Sequence, residues 1–190
     1  MSREKFMEIS SQNIKRKGID NLLRWLAETD FLIAPASTRF HDSCEGGLCK
    51  HSINVYCELK RLLAAYPEIE CTDETAAIIS LFHDVCKIGC YKIEMRNKKN
   101  ELGQWIQVPF YTFEEDFAYG NHGAKSVFTI ERFMRLKKEE AVAIQCHMGN
   151  DDGRYAVSKA YEQFPLAWLL HVADEAATFI KQEETSNGSK

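Results

Sequence analysis

No stretch of this sequence is apolar for long enough to cross a bilayer, and the opening MSREKFMEIS has no apolar core of the kind that marks a secretory leader. No basic block occurs either: 24 Lys and Arg are scattered among 28 Asp and Glu, for a net charge of −4. Long nucleic acid is therefore a less expected partner than a small molecule, although a local basic patch is compatible with that total. No two of the seven cysteines (44, 49, 57, 71, 86, 90 and 146) are spaced as CxxC, and their number is odd. Without a second cysteine pair, CKIGC (86–90) is not read as a zinc site. The pattern points to reduced thiols in a cytoplasmic protein, not to a disulfide framework. Repeats, low-complexity tracts and convincing linkers are also missing, so the 190 residues are expected to form one domain with a substantial core.

What is present is mostly helical patterning. Helices are expected over 4–16, 18–30, 48–66 and 72–89, the last opening on Thr72 as its N-cap and closing at Gly89. FLIAPASTRFHDSCEGG (31–47) reads as a loop. Strand character is confined to 90–113, where CYKIEMR and QWIQVPFYTF flank a loose turn, NKKNELG (97–103). Further helices are expected over 123–135, 138–148, 156–163 and 164–182, followed by a polar, disordered tail at 183–190.

Polar residues sit on faces that ought to be apolar. His51 shares a stripe with Leu48 and Val55. His83 and Asp84 interrupt AIISLFHDVCKIGC. His147 follows Ala143 and Ile144, and Asp174 lies one turn from Leu170 and Ala177. A single inward His usually needs only one hydrogen-bond partner. A buried carboxylate, however, costs several kcal/mol or takes up a proton unless a cation faces it. Four such positions, one of them an adjacent His-Asp pair, point to a metal, because imidazole and carboxylate suit Mn, Fe, Zn, Co or Ni.

In order and in local wording, this set resembles the HD-domain superfamily of metal-dependent phosphohydrolases, particularly its small bacterial and phage members. The resemblance spans about 35–180; its matching segments are EGGLCKHSINVY around His51, LFHDVCKIG around His83 and Asp84, then after a hairpin YGNHGAKS and CHMG, and LLHVADEAAT around Asp174. The resemblance implies a helical HD bundle over 1–182, with a small β-hairpin inserted after the HD helix. It implies one or two divalent transition ions. His51, His83, Asp84 and Asp174 would hold the first, and Asp84 would bridge to a second on His122 and His147. The implied activity is hydrolysis of a nucleotide or another phosphate mono- or diester by metal-activated hydroxide. Two other readings stay open: an HD-type di-iron oxygenase, and a metal-bound sensor or scaffold without turnover.

Lys87, one turn past His83, is either a phosphate contact that steadies developing charge or a lysine reaching to solvent. His41 is either a proton donor to the leaving oxygen or a solvated loop residue. Arg39 and Lys125 could meet anions, Glu45 could hydrogen-bond a ligand His, and His171 is expected to support the centre or belong to the core. Tyr91, Trp105, Phe110, Tyr111 and Phe113 are expected to pack the hairpin against the helices, with stacking on a base as the alternative.

Overall fold

Ile19, Leu22, Leu23 and Leu26 recur at helical spacing, so one side of IDNLLRWLAE is apolar, and that segment forms a helix buried along that side. The same periodicity builds most of the molecule. The computed structural model describes residues 2–39, 42–115, 120–149 and 157–180. Its helices are α1 (Ser2–Asn13), α2 (Ile19–Glu28), α3 (Gly47–Ala65), α4 (Asp73–Phe82), α5 (His122–Glu131), α6 (Lys138–Cys146), α7 (Val157–Gln163) and α8 (Pro165–Phe179). A hairpin of β1 (Tyr91–Lys99) and β2 (Trp105–Phe113) lies between α4 and α5. The architecture is therefore mostly helical with one small antiparallel sheet. No described helix is long and apolar enough to cross a membrane. His41 and the tail at 183–190 lie outside the described residues.

Helix α4 is the central strut. Every residue from Thr75 to Phe82 is buried, which only an element surrounded by others allows. The Thr72 hydroxyl starts it by accepting the Thr75 amide at 3.1 Å. Helices α3 and α6 flank it, and α8 packs across both, burying Leu166, Leu169, Leu170, Ala173 and Ala177. Phe6 closes one end of the core, with ring centroids 5.3 Å from Phe31 and 5.9 Å from Phe82. The glycine pair before α3 has a steric reason. Gly46 has φ 73°, and a Cβ on Gly47 would lie 1.9 Å from the Asp42 carbonyl oxygen. This close approach folds the loop carrying Ala36 back over the start of α3.

Two expectations need correction. The helix expected over 72–89 ends at Phe82; Asp84 leaves helical geometry (φ −106°, ψ 18°), and a single 3-10 turn spans Val85–Lys87. In an unbroken helix neighbouring side chains point about 100° apart. Breaking it lets His83 and Asp84 face one centre. The hairpin also differs. Its strands run on to Lys99 and resume at Trp105, with the Asn100 side chain accepting the Leu102 and Gln104 amides across the turn. Only its base packs: Tyr91, Tyr111 and Phe113 are half-buried, whereas Ile93, Met95 and Trp105 are 68%, 55% and 69% exposed. The expectation that all five aromatics pack on the helices holds for Tyr91, Tyr111 and Phe113; Trp105 is exposed near the tip, and the register puts Phe110 on the opposite face.

A charge network absent from the sequence pattern ties the chain start to the core. The Arg16 guanidinium pairs with Glu140, which is wholly buried, and with Glu74 at 2.9 Å. Glu140 also accepts from the Thr75 hydroxyl (2.9 Å) and the Lys137 amide (2.8 Å). Burial alone would raise the Glu140 pKa, but Arg16 and these donors hold it below the usual carboxylate value. Burial likewise opposes, and the Lys15 amide and Arg16 outweigh it, at Glu74. Because both folded pKa values are depressed, the stability they contribute is present above about pH 4.5 and lost as pH falls through the folded values. Glu140→Gln should therefore cost about 3 kcal/mol at neutral pH and flatten the acid limb of the stability curve. Urea unfolding at neutral pH and in acid tests this; an unchanged acid limb would remove Glu140 from the network.

Candidate metal centre

Helix ends place the histidines. His83 and His147 occupy the C-cap positions of α4 and α6, both wholly buried. Each ring turns back on its own helix: Nδ1 of His83 lies 2.8 Å from the Ser80 carbonyl, and Nδ1 of His147 lies 2.7 Å from that of Ile144. A carbonyl only accepts, so each Nδ1 carries the proton and a neutral ring presents a lone pair at Nε2. Those two Nε2 atoms are buried and make no hydrogen bond.

Both lone pairs face carboxylate oxygen. Nε2 of His83 lies 3.4 Å from Asp84 Oδ2 and 3.8 Å from Asp174 Oδ1, and Nε2 of His147 lies 3.5 Å from Asp84 Oδ1. From α3, His51 Nε2 reaches Asp174 Oδ1 at 2.9 Å and Asp84 Oδ2 at 3.9 Å. Two overlapping triads result, His51–His83–Asp174 and His83–Asp84–His147, with the ligand atoms of each within 4.8 Å of one another. Lone pairs pointing at carboxylates repel unless a cation lies between them. The electrostatics agree. Burial pushes the His83 pKa down, but Asp84 more than reverses it. Asp84 and Asp174 are held well below the usual carboxylate range against burial, Asp84 by Lys87 and His83, and Asp174 by His51 and His83. These buried groups could hold a metal ion, and imidazole with carboxylate is the donor chemistry a divalent transition ion takes.

The supporting contacts explain the rest. Lys87 points inward, with Nζ 2.8 Å from Asp84 Oδ2 and 3.0 Å from the Ala36 carbonyl oxygen. Burial lowers its pKa and Asp84 raises it further, so it stays charged. The Tyr91 hydroxyl donates to the same Ala36 oxygen at 2.6 Å. The His171 ring meets the His147 carbonyl at 2.7 Å and stacks on Tyr161, which braces the α6 end. A Cβ on Gly123 would lie 2.4 Å from the Gln145 carbonyl oxygen, so α5 needs this glycine to abut that end.

Of the six ligands expected from the sequence, the structure gathers His51, His83, Asp84, His147 and Asp174. It does not bring His122 into either triad. As the first residue of α5, His122 turns Nε2 to Glu115 Oε1 at 3.0 Å, a carboxylate the sequence reading passed over although the run EED follows β2. Glu45 and Arg39 are exposed, and Lys125 Nζ lies 3.5 Å from Cys90 Sγ. The clearest omissions were the Ser80 and Ile144 carbonyls and Tyr91. Both carbonyls lie three residues before a His that ends a helix, a repeated spacing visible in ISLFH and AIQCH.

Comparison with known proteins adds no relative: no family model, curated protein or solved structure matches the chain.

Lys87→Met removes the nearest fixed cation from a buried carboxylate. In chelator-treated protein it should cost about 3–5 kcal/mol, and excess Mn or Zn should recover part of the loss. Urea unfolding with and without metal measures both effects. Equal stability of parent and variant in chelator would show that Lys87 does not compensate Asp84.

Proposed function

We propose that this protein is a metal-dependent phosphohydrolase acting on a nucleotide or other phosphate mono- or diester. The observation that carries the reading is the pair of buried, unpartnered Nε2 lone pairs, on His83 and His147, aimed at the Asp84 carboxylate. The ordered motif H…HD…D, resembling the HD superfamily, supports the same chemistry.

His51, His83, Asp84 and Asp174 would hold a first ion, and Asp84 with His147 would offer donors to a second. His122 is not counted while it pairs with Glu115. A divalent transition ion supplies a nucleophile near neutral pH, by lowering the pKa of water from ~15.7 toward ~7, and a Lewis acid for a phosphoryl oxygen. The chain's own groups do the remainder. The Ser80 and Ile144 carbonyls fix the tautomers and aim the rings. Lys87 keeps a permanent positive charge beside Asp84, where it can meet negative charge developing on a transferring phosphoryl group. The packed α3, α4, α6 and α8 exclude bulk water, which strengthens each of these interactions.

Metal content and hydrolysis should fall together. Protein loaded with Mn, Co or Ni should retain one or two ions per chain and hydrolyse aryl phosphate mono- or diesters. Asp84→Ala, checked for folding by circular dichroism, should lose bound metal and at least about 100-fold in rate, beyond what loss of a supporting partner costs. Undiminished hydrolysis in that variant would reject this centre. Iron-dependent oxygen uptake without hydrolysis would reject the reaction class.

A further inference from the structure

The hairpin is what the metal centre does not use. Nine-residue strands at ~3.4 Å per residue give it a reach of about 30 Å. The register places Ile93, Met95 and Lys99 on one face with Trp105 and Pro109, and Arg96 and Lys98 on the other with Ile106 and Phe110. An isolated two-stranded hairpin is marginal in water, yet this one leaves Ile93, Met95, Ile106 and Trp105 uncovered. Its charge opposes that of the body. Within 91–113, Lys92, Arg96, Lys98 and Lys99 outnumber Glu94 and Glu101 by two, so with a total of −4 the rest of the chain carries −6. Lys92 pairs with Glu114, and the other three cations, Arg96, Lys98 and Lys99, lie in the outer half of β1. Two of them lie over aromatic rings, Lys99 at 5.3 Å from the Trp105 centroid and Arg96 at 5.1 Å from that of Phe110.

These features select an occupant. A second copy docking here would bring like charges together, since the hairpin carries a surplus of two cations. A duplex has no exposed base faces for Trp105. Cations interleaved with open aromatic rings suit a strand that has both phosphates and free base faces. A place for a base lies at the base of the arm. Thr38, Ser43, Ile93, Arg96, Phe110 and Tyr111 line a cavity of about 260 Å³. The loop that lines this cavity also contacts the metal centre's lysine: the Ala36 carbonyl, two residues before Thr38, takes both Lys87 Nζ and the Tyr91 hydroxyl. We infer that the hairpin binds single-stranded nucleic acid, which passes over its edge with bases on Trp105 on one face and at Arg96 and Phe110 on the other, and presents the strand to the metal centre. The binding half stands on the hairpin alone; presentation to the centre rests on the phosphohydrolase reading.

Fluorescence anisotropy of a labelled oligothymidylate in chelator tests the binding half with the full chain. Trp105→Ala should weaken binding about tenfold, and Lys98→Ala with Lys99→Ala should reduce the salt slope by about 1.4. With Mn present, the preference for the oligonucleotide over bis(p-nitrophenyl) phosphate, as a ratio of kcat/KM, should fall about tenfold in Arg96→Ala. No binding by the parent protein, equal binding by the variants, equal binding of duplex, or conversion of a dimer to monomer by Trp105→Ala would each overturn the inference. Absence of hydrolysis of both p-nitrophenyl phosphate and bis(p-nitrophenyl) phosphate would overturn the phosphohydrolase reading and leave the anisotropy result to judge the arm.

Discussion

The structure depends on one carboxylate that is almost wholly buried. Asp84 is 2% exposed, and an unpaired charge at such depth is not stable. Its surroundings are organised to prevent that state. Lys87 is held against it from the next turn, His83 precedes it in the chain, and His147 arrives from α6. Each arrival requires a local departure from regular structure: α4 stops at Phe82, Asp84 takes a non-helical conformation, and α6 stops at Cys146. Helix termini, which ordinarily leave carbonyls unsatisfied, here use them on the histidine rings. The ends of two helices thus serve both as caps and as the means of aiming ligands.

Much of this was legible in the sequence, and for identifiable reasons. The helical stripe of Leu48, Val55 and Leu59 put His51 inside, and Leu170 with Ala177 did the same for Asp174. Periodicity reports burial, and burial of polar groups reports a partner. Conformation at a single residue is not periodic, so the break at Asp84 was invisible within an apolar run long enough to read as one helix. His122 shows a second limit. Its place at the start of α5 was readable, but the direction of a side chain at a helix N-terminus depends on what lies beyond the helix, in this case Glu115. The Arg16–Glu74–Glu140 network spans 124 residues and has no local signature at all.

The body and the hairpin obey different constraints. In the helices most large apolar side chains are covered, with Phe128, Trp168 and Phe179 as exposed exceptions, and the buried histidines and carboxylates of the centre have facing charges. The hairpin reverses this, leaving apolar and cationic groups outward on a chain whose remainder is acidic. The loop carrying Ala36 joins the two regimes. Its carbonyl takes one proton from the residue that neutralises Asp84 and another from the first residue of β1. A displacement of the hairpin base would therefore be felt at Lys87, and so at the charge balance of the centre.

A proton and a metal ion are the two cations that can resolve the clash at His83 and His147, and geometry distinguishes them. A proton lies on one line between one donor and one acceptor. Satisfying both rings that way would take two protons, and would set two imidazolium charges on rings whose centroids are 5.0 Å apart. Their mutual repulsion would offset much of what Asp84 contributes. An ion with several coordination positions has no such difficulty, since one charge can face several donor atoms of a triad at once. The separations also fit. Apart from His51–Asp174 at 2.9 Å, the gaps between Nε2 and carboxylate oxygen are 3.4–3.9 Å, too long for good hydrogen bonds, whereas donor atoms that each lie ~2.0–2.2 Å from a shared centre stand about 3–4 Å apart.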